Sequence, residues 1–447
     1  MRQSLFVLSI ASAALAGLLF GFDTAVISGV TADLRDIFDL SPAALGITVS
    51  SALIGTLIGA MYAGTLGDRF GSRDSLRATA VLYFVSGLGC ALSWDWSSLV
   101  AFRFIGGLAI GGSSVLAPVY ISEIAPPQRR GMLVGLFQLN IVSGILVAYL
   151  SNFLIGQLDL GSHEWRWKLA ITAGPAALLF AMLLYVPHSP RWLAAKGRTE
   201  EALRTLQLIG TPEERASFAT LREASDAPVG AGARLSWHAH RRPILLAVSI
   251  AMFNQLAGIN AILYYLNDIF AAAGFGKVSS DLQAVGIGAT NLLFTLIAML
   301  FIDRIGRKRL LLTGAVGMFA CLASVAMIMG ADRWHELLIW SLVGFIAFFA
   351  FSQGAVIWVY ISEIFPTPVR SRGQSIGSST HWLMNALIAF SFPLIAAHSK
   401  ALPFVFFAAM MLVQFIVVLL FFPETKGVPL EDVEHVLAGR QARTQGA

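Results

Sequence analysis

The sequence predicts an all-α membrane protein of twelve spanning helices in two bundles of six, and three observations predict it. The 447 residues are 56% hydrophobic and only 13% charged, where a soluble domain carries about a quarter charged residues; the mean hydropathy is +0.72. Apolar runs of the roughly 20 residues that cross about 30 Å of hydrocarbon recur along the chain. Short motifs of the first half return in the second. This composition excludes a disordered chain, a collagen-like repeat, a coiled coil and an ordinary cytosolic enzyme. The alternating ten-residue segments of a membrane barrel do not occur.

In chain order the predicted spans are 5–30, 43–66, 76–93, 97–121, 131–156, 168–186, 243–270, 281–304, 309–330, 337–361, 373–398 and 402–422. The first is too long for a signal peptide and carries Asp23, so it is expected to stay in the mature protein. Orientation follows from the basic residues. With both termini cytoplasmic, 24 of the 31 Lys and Arg residues face inside, against six outside, Lys168 among them, with Arg103 within a span. The stretch 188–242 holds 15 of the 57 charged residues and reads as a linker with short cytoplasmic helices. The predicted divisions are therefore an amino-terminal bundle 1–190, a linker 191–242, a carboxy-terminal bundle 243–425 and a cytoplasmic tail 426–447. The chain belongs in a cell membrane, as a multi-pass protein and a monomer, with the bilayer as its partner. Its pI of about 9.4 reflects these inner-loop clusters and not a nucleic-acid surface. Cys90 and Cys321 lie in apolar runs without Cys or His at ligand spacing, so no disulfide, metal or cofactor is expected.

The halves repeat. Val119-Tyr120-Ile121-Ser122-Glu123-Ile124-Ala125-Pro126 returns as Val359-Tyr360-Ile361-Ser362-Glu363-Ile364-Phe365-Pro366, seven of eight identical at an offset of 240. Asp68-Arg69-Phe70-Gly71 returns as Asp303-Arg304-Ile305-Gly306 at 235, and Pro187 with its polar followers matches Pro423-Glu424-Thr425-Lys426-Gly427 at 236. An offset of six spans keeps both copies in one orientation, as a parallel repeat requires. Glu123 with Arg130, and Glu363 with Arg370, are spaced so that a carboxylate at a helix end meets an Arg beyond the break. Together with Asp68, Arg69, Asp303 and Arg304 they form a candidate cytoplasmic latch; interfacial anchoring is the plainer alternative.

These residues resemble the sugar porter family of the major facilitator superfamily over nearly the whole chain. Gly21-Phe22-Asp23-Thr24-Ala25-Val26-Ile27-Ser28-Gly29, Arg103-Phe104-Ile105-Gly106-Gly107, Pro187-His188-Ser189-Pro190-Arg191-Trp192, Asn254-Gln255-Leu256-Ala257-Gly258-Ile259-Asn260 and the Pro423–Gly427 motif carry the likeness. The resemblance implies the major facilitator fold, with bundles related by a pseudo-two-fold axis, and a family that contains both proton symporters and facilitators. Four departures stand out: His188 in place of an acidic residue, Ser72 and Asp74 where basic residues are usual, Gly354-Ala355 for Gly-Pro, and Asn254-Gln255 for Gln-Gln.

A sugar offers hydroxyls that donate and accept, and flat C–H faces, so its site needs amides and aromatic rings. The spans supply Gln138, Asn254, Gln255, Asn260, Asn291 and Asn385, with Phe22, Tyr264, Tyr265, Trp358 and Trp382. The resemblance places Gln138, Asn254, Gln255, Asn260, Asn291 and Trp358 at sugar-contacting positions. Isolated polar residues in spans also serve as interhelical glue, an alternative for Asn385 and Tyr265. His381 precedes Trp382 where relatives often carry an amide; it bonds sugar, senses pH or packs against a neighbouring helix.

Asp23 and Arg103 are the clearest charged residues within spans. Each costs about 2.5–3.5 kcal/mol to insert, so they are expected to pair, and the resemblance agrees. Burial raises the carboxylate's proton affinity and Arg103 lowers it; a change in their separation would make proton movement obligatory with sugar movement. The expected function is a proton-coupled monosaccharide symporter, hexose or pentose, working by alternating access. A facilitative uniporter in which Asp23–Arg103 is structural is the alternative, and a sugar-sensing receptor a third. No enzyme is expected: the spans hold no Ser-His-Asp order, phosphate loop or metal cluster, and Gly106-Gly107 and Gly111-Gly112 suit helix packing.

Overall fold

The structure, a computed structural model, describes residues 2–126, 129–209, 235–365 and 369–426, without the side chains of residues 2, 3, 130, 131, 303, 370 and 371. The chain separates into two compact units, Met1–Ala231 and Gly232–Ala447. Among the described residues there are helices and turns but no strands. In the first unit α1 is Arg2–Val26, α2 Pro42–Phe70, α3 Ser72–Ala91, α4 Trp96–Ile124, α5 Arg130–Gly156 and α6 Ala173–Tyr185. In the second, α7 is Trp237–Leu256, α8 Ile259–Tyr264, α9 Lys277–Ile305, α10 Arg307–Ala331, α11 Leu338–Phe351, α12 Gln353–Ile364, α13 Arg370–His398 and α14 Leu402–Phe421.

Local chemistry sets the helix starts. Ser41 accepts the Ala44 amide at 3.2 Å ahead of Pro42, a preferred first helical residue. Asp95 and Ser98 exchange side-chain and backbone bonds, 2.7 Å and 3.3 Å, as a capping box for α4. Once started, α4 lies backbone-to-backbone on α2. A Cβ on Gly107 would strike the carbonyl oxygen of Ala52, and one on Gly111 that of Thr56, the small-residue contact that packs helices in lipid.

Eleven of the twelve predicted spans coincide with segments among the described residues that are long and apolar enough to cross a membrane. The missing one is α3, a continuous helix whose first six residues include Arg73, Asp74 and Arg77; their charge lowers its hydropathy. Two of the predicted spans are broken, the first at the glycine that the sequence sets between Gln255 and Asn260, where a local break is expected. Gly258 separates α7 from α8 at φ +83, and Ser352 separates α11 from α12 at φ −116, ψ −89. The first break needs glycine twice over: the φ is left-handed, and a Cβ there would meet the Phe407 ring.

One boundary needs correction. Helix α7 reaches back to Trp237, inside the predicted linker, with a kink at His240 because Pro243 offers no amide to the preceding turn. Lys168, counted on the outer side of the membrane, is fully buried: its ammonium meets Glu164 at 2.7 Å and the Gly29 carbonyl at 3.0 Å. The stretch expected to hold short helices contains Pro190–Ala195 and Thr199–Ile209, which pack through Leu193, Ala202 and Leu206. Residues 210–234 and the tail beyond Lys426 lie outside the described residues.

Candidate functional site

Within the second unit, the break at Gly258 assembles a chain of amides. The Gly258 amide bonds back to the Gln255 carbonyl at 2.8 Å, and the chain restarts so that Asn260 Nδ2 donates to Gln255 Oε1 at 3.0 Å. Gln255 Nε2 in turn donates to Asn254 Oδ1 at 3.0 Å. It also faces the His381 ring of α13, 3.2 Å from Nδ1 and 3.3 Å from Nε2. A ring nitrogen facing an amide N–H must present its lone pair, which leaves the other nitrogen as a donor.

Aromatic walls enclose this chain. The His381 ring lies 5.2 Å from Trp358 and 5.1 Å from Trp382, edge-on at 87° to the latter. One turn along α13, Asn385 is fully buried and donates to the Tyr264 hydroxyl at 3.1 Å. Its Oδ1 has no partner among the described residues. Asn291 is buried on α9. Tyr265 by contrast bonds the Ala389 carbonyl at 2.8 Å and stacks on Phe392: it holds α13 in place. The structure thus brings Asn254, Gln255, Asn260, Trp358, His381 and Trp382 together, with Tyr264 and Asn385 as a second pair. Phe22, buried on α1, and Gln138, half-buried on α5, belong to the other unit.

The first unit carries charge. Arg103 Nη1 reaches both oxygens of Asp23, at 3.0 and 3.1 Å. Both residues are buried, with 4% and 6% exposed. One nitrogen makes the whole bridge, and the Arg103 Nε has no partner among the described residues. This is less than the two-nitrogen fork a guanidinium can offer. Tyr83, bonded to Ser113 at 3.0 Å, and Cys90 are buried within electrostatic range of the pair.

The loop motifs form a third set. In the second unit Glu363 takes Arg307 at 2.7 and 3.1 Å and the Thr425 hydroxyl at 2.6 Å. The predicted partner was Arg370, whose side chain, like those of Arg130 and Asp303, lies outside the described residues. The offset of 235 explains the asymmetry: Ser72 stands where the second half has Arg307, and offers Glu123 only a 3.5 Å hydroxyl contact. The backbone carbonyls of Asp68 and Arg304 accept from Trp192 at 3.0 Å and Lys426 at 2.6 Å. The guanidiniums of Arg69 and Arg304 sit over Phe70 and Phe301.

Sequence reasoning missed Arg307 and the pair Gln353–Gln414, in which Gln353 Nε2 donates to Gln414 Oε1 beside the Ser352 break. Each glutamine stands alone in an apolar run, and only the packing of α12 on α14 joins them. Arg307 had a signal: it immediately follows Gly306 in the repeated loop.

Residues 9–437 match the family described as "Sugar (and other) transporter". The arabinose-proton symporter of Bacillus subtilis is 38% identical over 444 residues, covering 96% of this chain and 94% of that protein. The D-xylose-proton symporter of Escherichia coli K12 is 35% identical, covering 97% and 96%. The glucose transporter GlcP of Staphylococcus epidermidis is 37% identical, covering 97% of each. The inward open structure of the xylose transporter XylE from E. coli superposes with a TM-score of 0.84 at 33% identity, over 97% of this chain and 99% of that one.

Proposed function

We propose that this chain, which belongs to the sugar transporter family, is a proton-coupled monosaccharide symporter working by alternating access. The observation that carries the reading is the division of chemistry between the units: a buried Asp23–Arg103 pair in one, an amide, imidazole and indole cluster in the other. Neutral donors and acceptors suit a polyhydroxyl ligand, which a fixed charge would hold poorly. The relatives named for arabinose, D-xylose and glucose favour a pentose or hexose.

The chain is a multi-pass membrane protein. We place it in the cell membrane as a monomer with both termini cytoplasmic, since that orientation puts 24 of 31 basic residues inside. Residues 1–190 and 243–425 serve as the bundles, 191–242 as the linker and 426–447 as the tail. The sugar crosses unchanged; the protein performs no bond chemistry on it. Asn254, Gln255, Asn260, His381 and Asn385 take the hydroxyls, with Tyr264 and Asn291 as further contacts. Trp358 and Trp382 take the C–H faces.

Coupling falls to Asp23. A proton on its carboxylate removes the charge that holds Arg103, and the one-nitrogen bridge leaves little else to keep them together. The test is uptake of labelled glucose, xylose, galactose and arabinose into proteoliposomes, with and without an imposed pH gradient. Symport gives gradient-driven accumulation and alkalinises the medium on sugar addition. Equilibration alone, whatever the gradient, would establish uniport and overturn the coupling.

A further inference from the structure

The two units dock their post-span motifs in the same way. Tyr120 donates to the Pro187 carbonyl at 2.7 Å, and Tyr360 to that of Pro423 at 3.3 Å. The next residue, His188 or Glu424, then lies over a glycine of left-handed φ, Gly71 at +84 or Gly306 at +98. The equivalence ends with chemistry. Glu424 accepts the amides of Arg307 and Lys308 at 2.8 and 3.1 Å, so it caps α10 from outside the helix. His188 does not take this capping role on α3: its Nδ1 is buried without a partner among the described residues.

The carboxylate of the first unit stands elsewhere. Helix α10 has no acidic residue in its first turn, whereas α3 has Asp74, where the offset of 235 puts Arg309 in the second half. Asp74 Oδ1 receives Arg73 Nε at 2.9 Å and Arg77 Nη1 at 2.8 Å, and its Oδ2 lies 3.3 Å from His188 Nε2. The two guanidiniums so oriented reach the end of α6. Arg77 donates to the Leu183 carbonyl at 2.7 and 2.9 Å, and Arg73 to that of Val186 at 3.4 Å. In the second unit the corresponding clamp is Lys308 on the Leu419 carbonyl, at 3.0 Å.

We infer that Asp74 is a positioning residue, the carboxylate of this junction supplied from within α3 where the second unit supplies Glu424 from the loop: Glu424 holds backbone amides, whereas Asp74 orients the cations that tie the end of the sixth span to the start of the third. His188 fills the vacated place as a neutral contact, stacked on Trp192 at 4.8 Å and facing Arg73 at 2.7 Å. A carboxylate moved in space is testable by moving it back.

The experiment compares wild type, Asp74→Asn, His188→Glu and the double variant Asp74→Asn/His188→Glu, each purified as the full chain. Two readouts are taken: thermal unfolding in detergent, and uptake into proteoliposomes of whichever of the four sugars the wild type carries. Asp74→Asn lowers the midpoint by about 3 °C and uptake about tenfold, the loss of one charge-assisted pair; the double variant recovers most of both. Glu424→Gln, combined with His188→Glu, shows no recovery. A double variant no better than Asp74→Asn, or an Asp74→Asn protein equal to wild type, overturns the inference. The uptake arm rests on the transport reading and the melting arm does not. A wild type that carries no sugar therefore fails that reading alone.

Discussion

The two halves of this chain share a repeat in sequence and divide the work in structure. Their loops and their tyrosine-to-proline-carbonyl bonds coincide, down to the glycine that precedes α3 and α10. Their interiors do not. The first unit buries Asp23 and Arg103 where membrane burial makes unpaired charge costly; the second unit strings Asn254, Gln255, Asn260 and His381 into a neutral hydrogen-bonded chain. A duplicated scaffold holds the frame constant while the central polar groups of the two copies differ. On the proposed reading, the charged pair serves proton coupling and the amide chain serves sugar recognition. Separating them lets each be tuned without disturbing the other.

The largest effect that would break this division is at Asp23. One charge carried down the membrane potential supplies about 2.3 kcal/mol per 100 mV, or roughly a 50-fold concentration ratio. Asp23→Asn should abolish that ratio in proteoliposomes with an imposed gradient while counterflow of labelled sugar continues. Accumulation at the wild-type level would assign the coupling elsewhere. Next comes Asn260→Ala, which removes the donor to Gln255 Oε1 and should raise the KM about tenfold with the gradient dependence intact. Gln353→Leu, in the same unit but outside the amide chain, should leave KM unchanged. Equal shifts in both variants would merge the recognition site with the general polar interior.

Much of the frame was legible from the residues. Spans follow from hydropathy because lipid forces every backbone polar group to be satisfied within a helix. Asp23 and Arg103 were legible as partners because each is costly alone. The break at Gly258 was legible because glycine sits between two amides five residues apart. The rest depends on contacts that no spacing encodes. The Arg307–Glu363 pair joins residues 56 positions apart, and the motif spacing pointed instead to Arg370. The two glutamines of α12 and α14 meet across 61 positions. Lys168 pairs with Glu164 at a helical spacing the sequence displays, but its bond to the Gly29 carbonyl joins residues 139 positions apart.

A smaller effect sharpens the comparison at the loops. Glu363 is held by Arg307 in a bridge whose side chains are 21% and 9% exposed. Glu363→Gln leaves that arginine short of its partner and should cost about 1–3 kcal/mol. Glu123→Gln weakens a 3.5 Å hydroxyl contact to Ser72, a bond from the Ser189 hydroxyl and the attraction of nearby Arg191, and should cost about 1 kcal/mol or less. Melting curves of the two variants in one detergent give the ratio. Equal losses would mean that these weaker contacts hold Glu123 as firmly as Arg307 holds Glu363.

The smallest effect concerns His188, the neutral stand-in for an acid. Burial and the charge of Arg73 push its pKa down to about 4, against the opposing pull of Asp74; an unfolded histidine titrates near 6.5. The folded protein therefore binds fewer protons at this site than the unfolded chain between those values, and stability contributed there falls as pH drops through that window. Above about pH 6.5 both states are neutral and the site contributes no slope. His188→Gln should flatten the pH dependence of the melting midpoint between pH 6.5 and 4.5 and leave the curve above pH 7 unaltered. Parallel curves for variant and wild type across the lower range would show that His188 is not held neutral by its surroundings. A flattened curve, with sugar-driven proton uptake at pH 7 unchanged, would leave Asp23 as the group that carries the proton.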